Sequence, residues 1–193
     1  MKRPKLQRRP DAPPGQAIRQ RYQAQGVERF YAQEGAHYRN PHEAIVARAI
    51  QDAVIRWSLP HAHVLDLACG SGEATLALWA IAPQSQILGV DPYTSQAYRA
   101  RTGQDALPYT FQQVAQGALA DQRFDLIVCS FALHLADVSW LPSLCLGLAQ
   151  LAPHLLVITP HKRPLLRESW GWALLDEHIT ERVRARAYRA TLS

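Results

Sequence analysis

Residues Val64-Leu65-Asp66-Leu67-Ala68-Cys69-Gly70-Ser71-Gly72 constrain this chain more than any other stretch. The apolar positions around one acid predict a buried strand, the glycines a tight turn, and the residues from Glu73 onward a helix. Such a unit belongs in a parallel sheet with helical crossovers, and its glycines let bare backbone approach a small molecule closely. A second apolar run, Ile87-Leu88-Gly89-Val90, also closes on an acid, Asp91. Two successive strands that each end in a carboxylate, with glycines between them, read as a nucleoside-binding edge.

The rest of the chain extends this alternation. Asn40-Pro41-His42-Glu43 has the pattern of a helix start, with Asn40 as cap, Pro41 at the first helical position and Glu43 reaching back. Val46, Ile50, Ala53, Val54 and Trp57 then recur at helical spacing. Strands are predicted at 63–68, 86–91, 109–114, 124–129 and 155–159, with helices at 73–82, 94–101 and 139–150. Gly103 stands where glycine commonly follows a helix end. Residues 161–193 read as helical, with a basic amphipathic segment at 181–189 and no further strand. The expected organisation is a flexible basic tail (1–16) and one domain (17–193). That domain comprises a helical lid (17–60), a sheet core (61–160) and a C-terminal helical segment (161–193).

With 193 residues, 48% of them hydrophobic, the chain can bury a core of its own. Its net charge of +5 sits at the ends. Residues 1–9 hold five basic side chains and no acid, and 161–193 hold seven against four, whereas 10–160 hold nine against twelve. Basic ends of this kind suit either a solvated tail or contact with an anionic partner such as RNA. Cys69, Cys129 and Cys145 are odd in number and lack zinc-ligand spacing, so free thiols and a cytoplasmic location are expected. No apolar run is long enough to span a membrane. The histidines show no metal-ligand spacing, so no metal is expected.

The run Asp66-Leu67-Ala68-Cys69-Gly70-Ser71-Gly72, with Asp91 about twenty residues on, resembles the first two motifs of the class I S-adenosylmethionine-dependent methyltransferases. Phe124-Asp125-Leu126-Ile127-Val128-Cys129-Ser130-Phe131-Ala132-Leu133-His134 resembles their fourth-strand motif. The likeness covers roughly residues 40–160. It implies an α/β fold, a doubly wound, mostly parallel Rossmann-like sheet, here read without the family's usual C-terminal hairpin. It also implies S-adenosylmethionine as cofactor and methyl transfer to an oxygen, nitrogen or carbon nucleophile.

The resemblance assigns roles residue by residue. Gly70 and Gly72 would admit the methionine part and ribose, with Ala68 where the family often has a first glycine. Asp66 would orient the loop and favour the ammonium, and Asp91 would take the ribose hydroxyls. Gln116 would meet the adenine amino group, and Ser130 would lie beside the amino-acid part. A dinucleotide site would need a third glycine where this chain has Thr75.

His134, after the fourth strand, is the candidate general base, because its ordinary pKa suits proton removal near neutrality. Tyr31 and Tyr38 in the lid and His161 past the fifth strand are the candidate substrate contacts. A small-molecule acceptor is the leading expectation. RNA or protein is the alternative acceptor. A non-catalytic cofactor-binding subunit, oligomerising through an exposed fifth-strand edge, is the third.

Overall fold

The computed structural model describes Gly35 and residues 38–192. The basic tail, Tyr31 and the lid before Tyr38, apart from Gly35, lie outside the described residues.

Four parallel strands form the core: β1 (His63–Leu67), β2 (Gln86–Val90), β3 (Leu126–Ser130) and β4 (His154–Thr159). An antiparallel hairpin of β5 (Trp172–Thr180) and β6 (Val183–Ala190) completes a six-stranded sheet in the order β2-β1-β3-β4-β6-β5. The helices are α1 (Glu43–Arg56), α2 (Glu73–Trp79), α3 (Ser95–Thr102), α4 (Phe111–Ala115) and α5 (Leu141–Leu151).

Alternation along each strand divides the core in two. Val64, Val128 and Leu156 pack with Ile50 and Val54 of α1 and Leu78 of α2. Leu65, Ile127 and Leu155 face the other way, onto Leu144 and Leu148 of α5. Both faces of the sheet are covered, which is why these strands read as unbroken apolar runs. Leu144 and Leu148 are fully buried, and each such side chain contributes about 1.5–3 kcal/mol through apolar burial.

The chain runs outward from β1 to β2 and then returns to place β3 on the far side of β1. Connections on the two sides of that reversal leave in opposite directions, opening a crevice beyond the carboxyl ends of β1 and β3. This is where the glycine turn lies.

Three sequence expectations are corrected. The strand expected at 109–114 is not formed. Only Leu107 bridges to Val90 in parallel, its N–H donating to the Gly89 carbonyl at 2.9 Å and its carbonyl accepting from the Asp91 N–H at 3.0 Å. Pro108 has no N–H with which to continue a ladder. Thr110 then opens α4 with a capping box shared with Gln113.

The hairpin read as absent is present. In β6, Val183 and Ala185 pack among the core residues beneath α1, while Arg184 and Arg186 alternate onto the opposite face and bond to Glu177 of β5. The turn residues Glu181 and Arg182 have φ of 48° and 69°, a conformation that hairpins usually assign to Asn-Gly. Because β6 pairs along β4, the edge expected to be open for oligomerisation is covered.

The start of α1 also differs. The helix begins at Glu43 after His42, and the Asn40 side chain accepts from the His42 N–H at 2.9 Å. The Glu43 carboxylate turns to Arg101.

Candidate active site

The turn after β1 uses the left-handed region repeatedly. Ala68, Gly70 and Gly72 have φ of 57°, 56° and 90°. Alanine in this conformation costs roughly 1–2 kcal/mol. The two glycines have different jobs. A Cβ on Gly70 would crowd Glu73 Oε2 at 3.1 Å and the Tyr38 ring at 3.2 Å, at the cavity wall. A Cβ on Gly72 would stand 2.7 Å from Thr102 Cγ2. Gly72 therefore lets α3 pack against the turn; it does not line the cavity.

Asp91 closes β2 and is 8% exposed. Its Oδ1 accepts the amides of Tyr93 at 2.8 Å and Thr94 at 3.1 Å, and its Oδ2 accepts the Gly70 amide at 3.3 Å. Burial raises its pKa above the ordinary carboxylate value, and these amide bonds oppose the rise. The single long bond at Oδ2 leaves acceptor capacity at the cavity wall.

Asp66 lies behind the turn and is fully buried. Its Oδ2 accepts the Thr75 amide at 3.1 Å and the Thr75 hydroxyl at 2.7 Å, and that hydroxyl pairs with the Tyr98 hydroxyl at 3.0 Å. Burial pushes the Asp66 pKa up to about 7, against the lowering effect of the Thr75 bonds. Asp66 thus fastens the first turn of α2 and does not line the cavity.

Glu73 was not anticipated from sequence. It is 4% exposed and lines the cavity. Its carboxylate accepts from the Asn40 amide at 3.2 Å, the Ser71 amide at 3.1 Å, Arg101 Nη1 at 3.3 Å and the Ser71 hydroxyl. Arg101 also reaches the Ser71 carbonyl and Glu43. The segment carrying Tyr38 is thereby bound to the glycine turn through one acid.

The cavity that these residues border has a volume of about 320 Å³. Aromatic rings make up much of its lining: Tyr38, Tyr93, Tyr109, Phe111, Phe131 and Trp140. Phe131 follows β3 with φ of 55° and stacks on His42 at 5.6 Å. Among the described residues, the charged side chains of the wall are Glu73, Asp91 and Asp137.

Of the residues proposed from sequence, Tyr38, Ala68, Gly70, Asp91 and Ser130 line this cavity. The others do not. Gln116 follows α4, exposed, and residues 109–112 take the place expected for it. His134 and His161 face each other at 4.3 Å between ring centroids and are not part of the wall. A His at a strand's carboxyl end is easy to nominate, but the short 3₁₀ turn at Leu133–Leu135 determines which way it points. Phe131 carried no sequence signal beyond its place in the fourth-strand motif, and Asp137 and Trp140 none beyond following it. The three cysteines are free and buried. No helix among the described residues is long and apolar enough to cross a membrane.

Comparison with known proteins places these features in context. The methyltransferase-domain family model matches residues 64–151. An uncharacterized protein of Schizosaccharomyces pombe is 30% identical over 221 aligned positions, covering 86% of this chain and 90% of that protein. A trans-aconitate 2-methyltransferase of Deinococcus radiodurans is 39% identical over 97 residues, covering 50% of this chain and 34% of its own length. Among solved structures, magnesium protoporphyrin IX methyltransferase from Synechocystis PCC 6803 with bound S-adenosylmethionine superposes with a TM-score of 0.57 at 16% identity. That match covers 95% of this chain and 100% of the other. An N-methyltransferase from Bradyrhizobium japonicum in complex with S-adenosylhomocysteine superposes with a TM-score of 0.60 at 13% identity, covering 83% and 97%.

Proposed function

This chain belongs to the class I S-adenosylmethionine-dependent methyltransferases, and on that premise we propose that it methylates a small-molecule acceptor bound beside the cofactor in the cavity at the carboxyl ends of β1 and β3. The cofactor is S-adenosylmethionine. The residues present fit it. Gly70 keeps the turn at the cavity wall free of a side chain, and Asp91 holds a nearly buried carboxylate there with acceptor capacity at Oδ2. Ser130 and Ala68 line the space between the ends of β1 and β3.

When bound, the sulfonium supplies a methyl group that is already activated. The protein's task is to hold donor and acceptor in line and exclude water. Such positioning can lower a barrier by roughly 7–11 kcal/mol, so the site can work without His134 on its wall. Asp91 and Gly70 would fix the donor. Tyr38, Phe131 and Trp140 would press the acceptor against it and keep water out.

The observation that carries the small-molecule reading is the cavity itself. Its wall has the apolar, aromatic character of small-ligand sites, with a few polar groups between. The Deinococcus relative, named for trans-aconitate, agrees in the size class of its acceptor.

Calorimetry on the full chain tests the cofactor assignment. S-adenosylmethionine and S-adenosylhomocysteine should bind, and Asp91→Ala should weaken both by about 1.5–3 kcal/mol, the scale of a charge-assisted hydrogen bond. Tighter binding of NAD than of either would defeat it. Methyl transfer from labelled cofactor to a fractionated metabolite extract tests the acceptor class. Label that moves only into RNA or protein would overturn it.

A further inference from the structure

We propose that the acceptor end of the cavity recognises a protonated amine on a small molecule, held by the Asp137 carboxylate and the Trp140 ring. This rests on the reading of the cavity as a methyl-transfer site and narrows it to an acceptor class.

The wall's charges are all negative. Glu73, Asp91 and Asp137 contribute carboxylates, and no Lys, Arg or His joins them among the described residues. Two of these acids have other duties, in the turn and toward the cofactor. Glu73 is tied to Asn40, Ser71 and Arg101, and Asp91 to the amides of Gly70, Tyr93 and Thr94. Asp137 is different. Its Oδ1 accepts the Ser139 amide at 2.8 Å and the Ser139 hydroxyl at 2.7 Å, which fixes the carboxylate in place. The same bonds hold its pKa below the ordinary value, so it is ionised at neutral pH. Oδ2 receives neither of these bonds and keeps its acceptor capacity.

Trp140 is set by the same turn. Its N–H donates to the Asp137 carbonyl at 3.0 Å, so acid and indole leave one tight bend ahead of α5. Both line the cavity, as does Phe131. A carboxylate beside aromatic faces is the chemistry that recognises an ammonium group, through charge and through the negative face of the ring. Arg101 offsets Glu73, but nothing of positive charge on the wall offsets Asp137, so a carboxylate-bearing acceptor would meet like charge there, which specificity by repulsion exploits.

The test uses the full chain saturated with S-adenosylhomocysteine and titrated with three probes: tyramine, 4-hydroxyphenylacetate and trans-aconitate. The first two share a ring and differ in the charge of the side arm. Tyramine should bind at least tenfold more tightly than either carboxylate. Asp137→Asn should weaken tyramine at least fivefold while leaving 4-hydroxyphenylacetate unchanged or tighter. Trp140→Leu should also weaken tyramine, with Trp140→Phe recovering part of the loss. Equal or tighter binding of a carboxylate, no binding of tyramine, or an Asp137→Asn variant indistinguishable from wild type would overturn the assignment. Wild-type chain that fails to bind S-adenosylhomocysteine would sink the underlying methyl-transfer reading itself, whereas retained binding with the wrong probe preference sinks the amine assignment alone.

Discussion

The two walls of the cavity are built on opposite principles. On the cofactor side, Glu73 and Asp91 are 4% and 8% exposed and are held by backbone amides, with the Ser71 hydroxyl and Arg101 also on Glu73, while Asp66 fastens the turn from behind. On the acceptor side, Phe131 and Trp140 are half-buried and Asp137 is exposed. Buried polar groups are costly unless satisfied, so the first wall is interlocked and cannot change one residue at a time. The second carries its chemistry on a connection beyond a rigid strand, where substitutions cost little. A scaffold arranged this way keeps its donor constant while its acceptor varies.

Three substitutions probe that contrast. The largest effect is expected from Glu73→Ala, which strips the acceptor from Asn40, Ser71 and Arg101 together. Breaking a buried ion pair of this kind should cost about 3–5 kcal/mol. Urea denaturation reads the loss directly, and a change under about 1 kcal/mol would show that the near wall is not interlocked.

Asp66→Asn comes next. Burial holds the folded pKa at about 7 against the ordinary 3.8 of an aspartate, so folding takes up a proton between those values. Stability attributable to Asp66 is therefore full below about pH 4 and falls as pH rises toward 7, with a slope of at most about 1.4 kcal/mol per unit. The variant should lose that slope. Parallel pH dependence of the urea midpoint in both proteins from about pH 4.5 to 7.5 would remove Asp66 as its source.

The smallest effect on folding belongs to Trp140→Ala, at about 1 kcal/mol or less, with its main consequence a raised acceptor KM. If it destabilised the chain as much as Glu73→Ala does, the two walls would not differ in kind.

What could be read from sequence follows the same division. The first strand, its turn and the acid closing the second strand were readable because burial and backbone geometry restrict residue choice there: apolar runs, glycines at positive φ, one carboxylate at each strand end. The third strand was misplaced because Tyr109-Thr110-Phe111 is apolar enough for a strand, while the Thr110–Gln113 cap that decides for helix is a local hydrogen-bond pattern. The hairpin escaped notice because β6 carries Arg186 at a buried position, 2% exposed yet bonded to Glu177 and to the carbonyls of Lys162 and Pro164. An arginine at an inward position reads as surface unless its partners are known. On the acceptor side, Asp137 and Trp140 line the cavity only because of how one bend turns, and residue type alone does not encode that direction.

Arg186 has a consequence for how the enzyme would wear its mutations. Through this one guanidinium the hairpin braces the stretch that leaves β4. Damage to the hairpin would therefore be transmitted inward to the middle of the sheet, and a lesion there could mimic one beside the reacting groups.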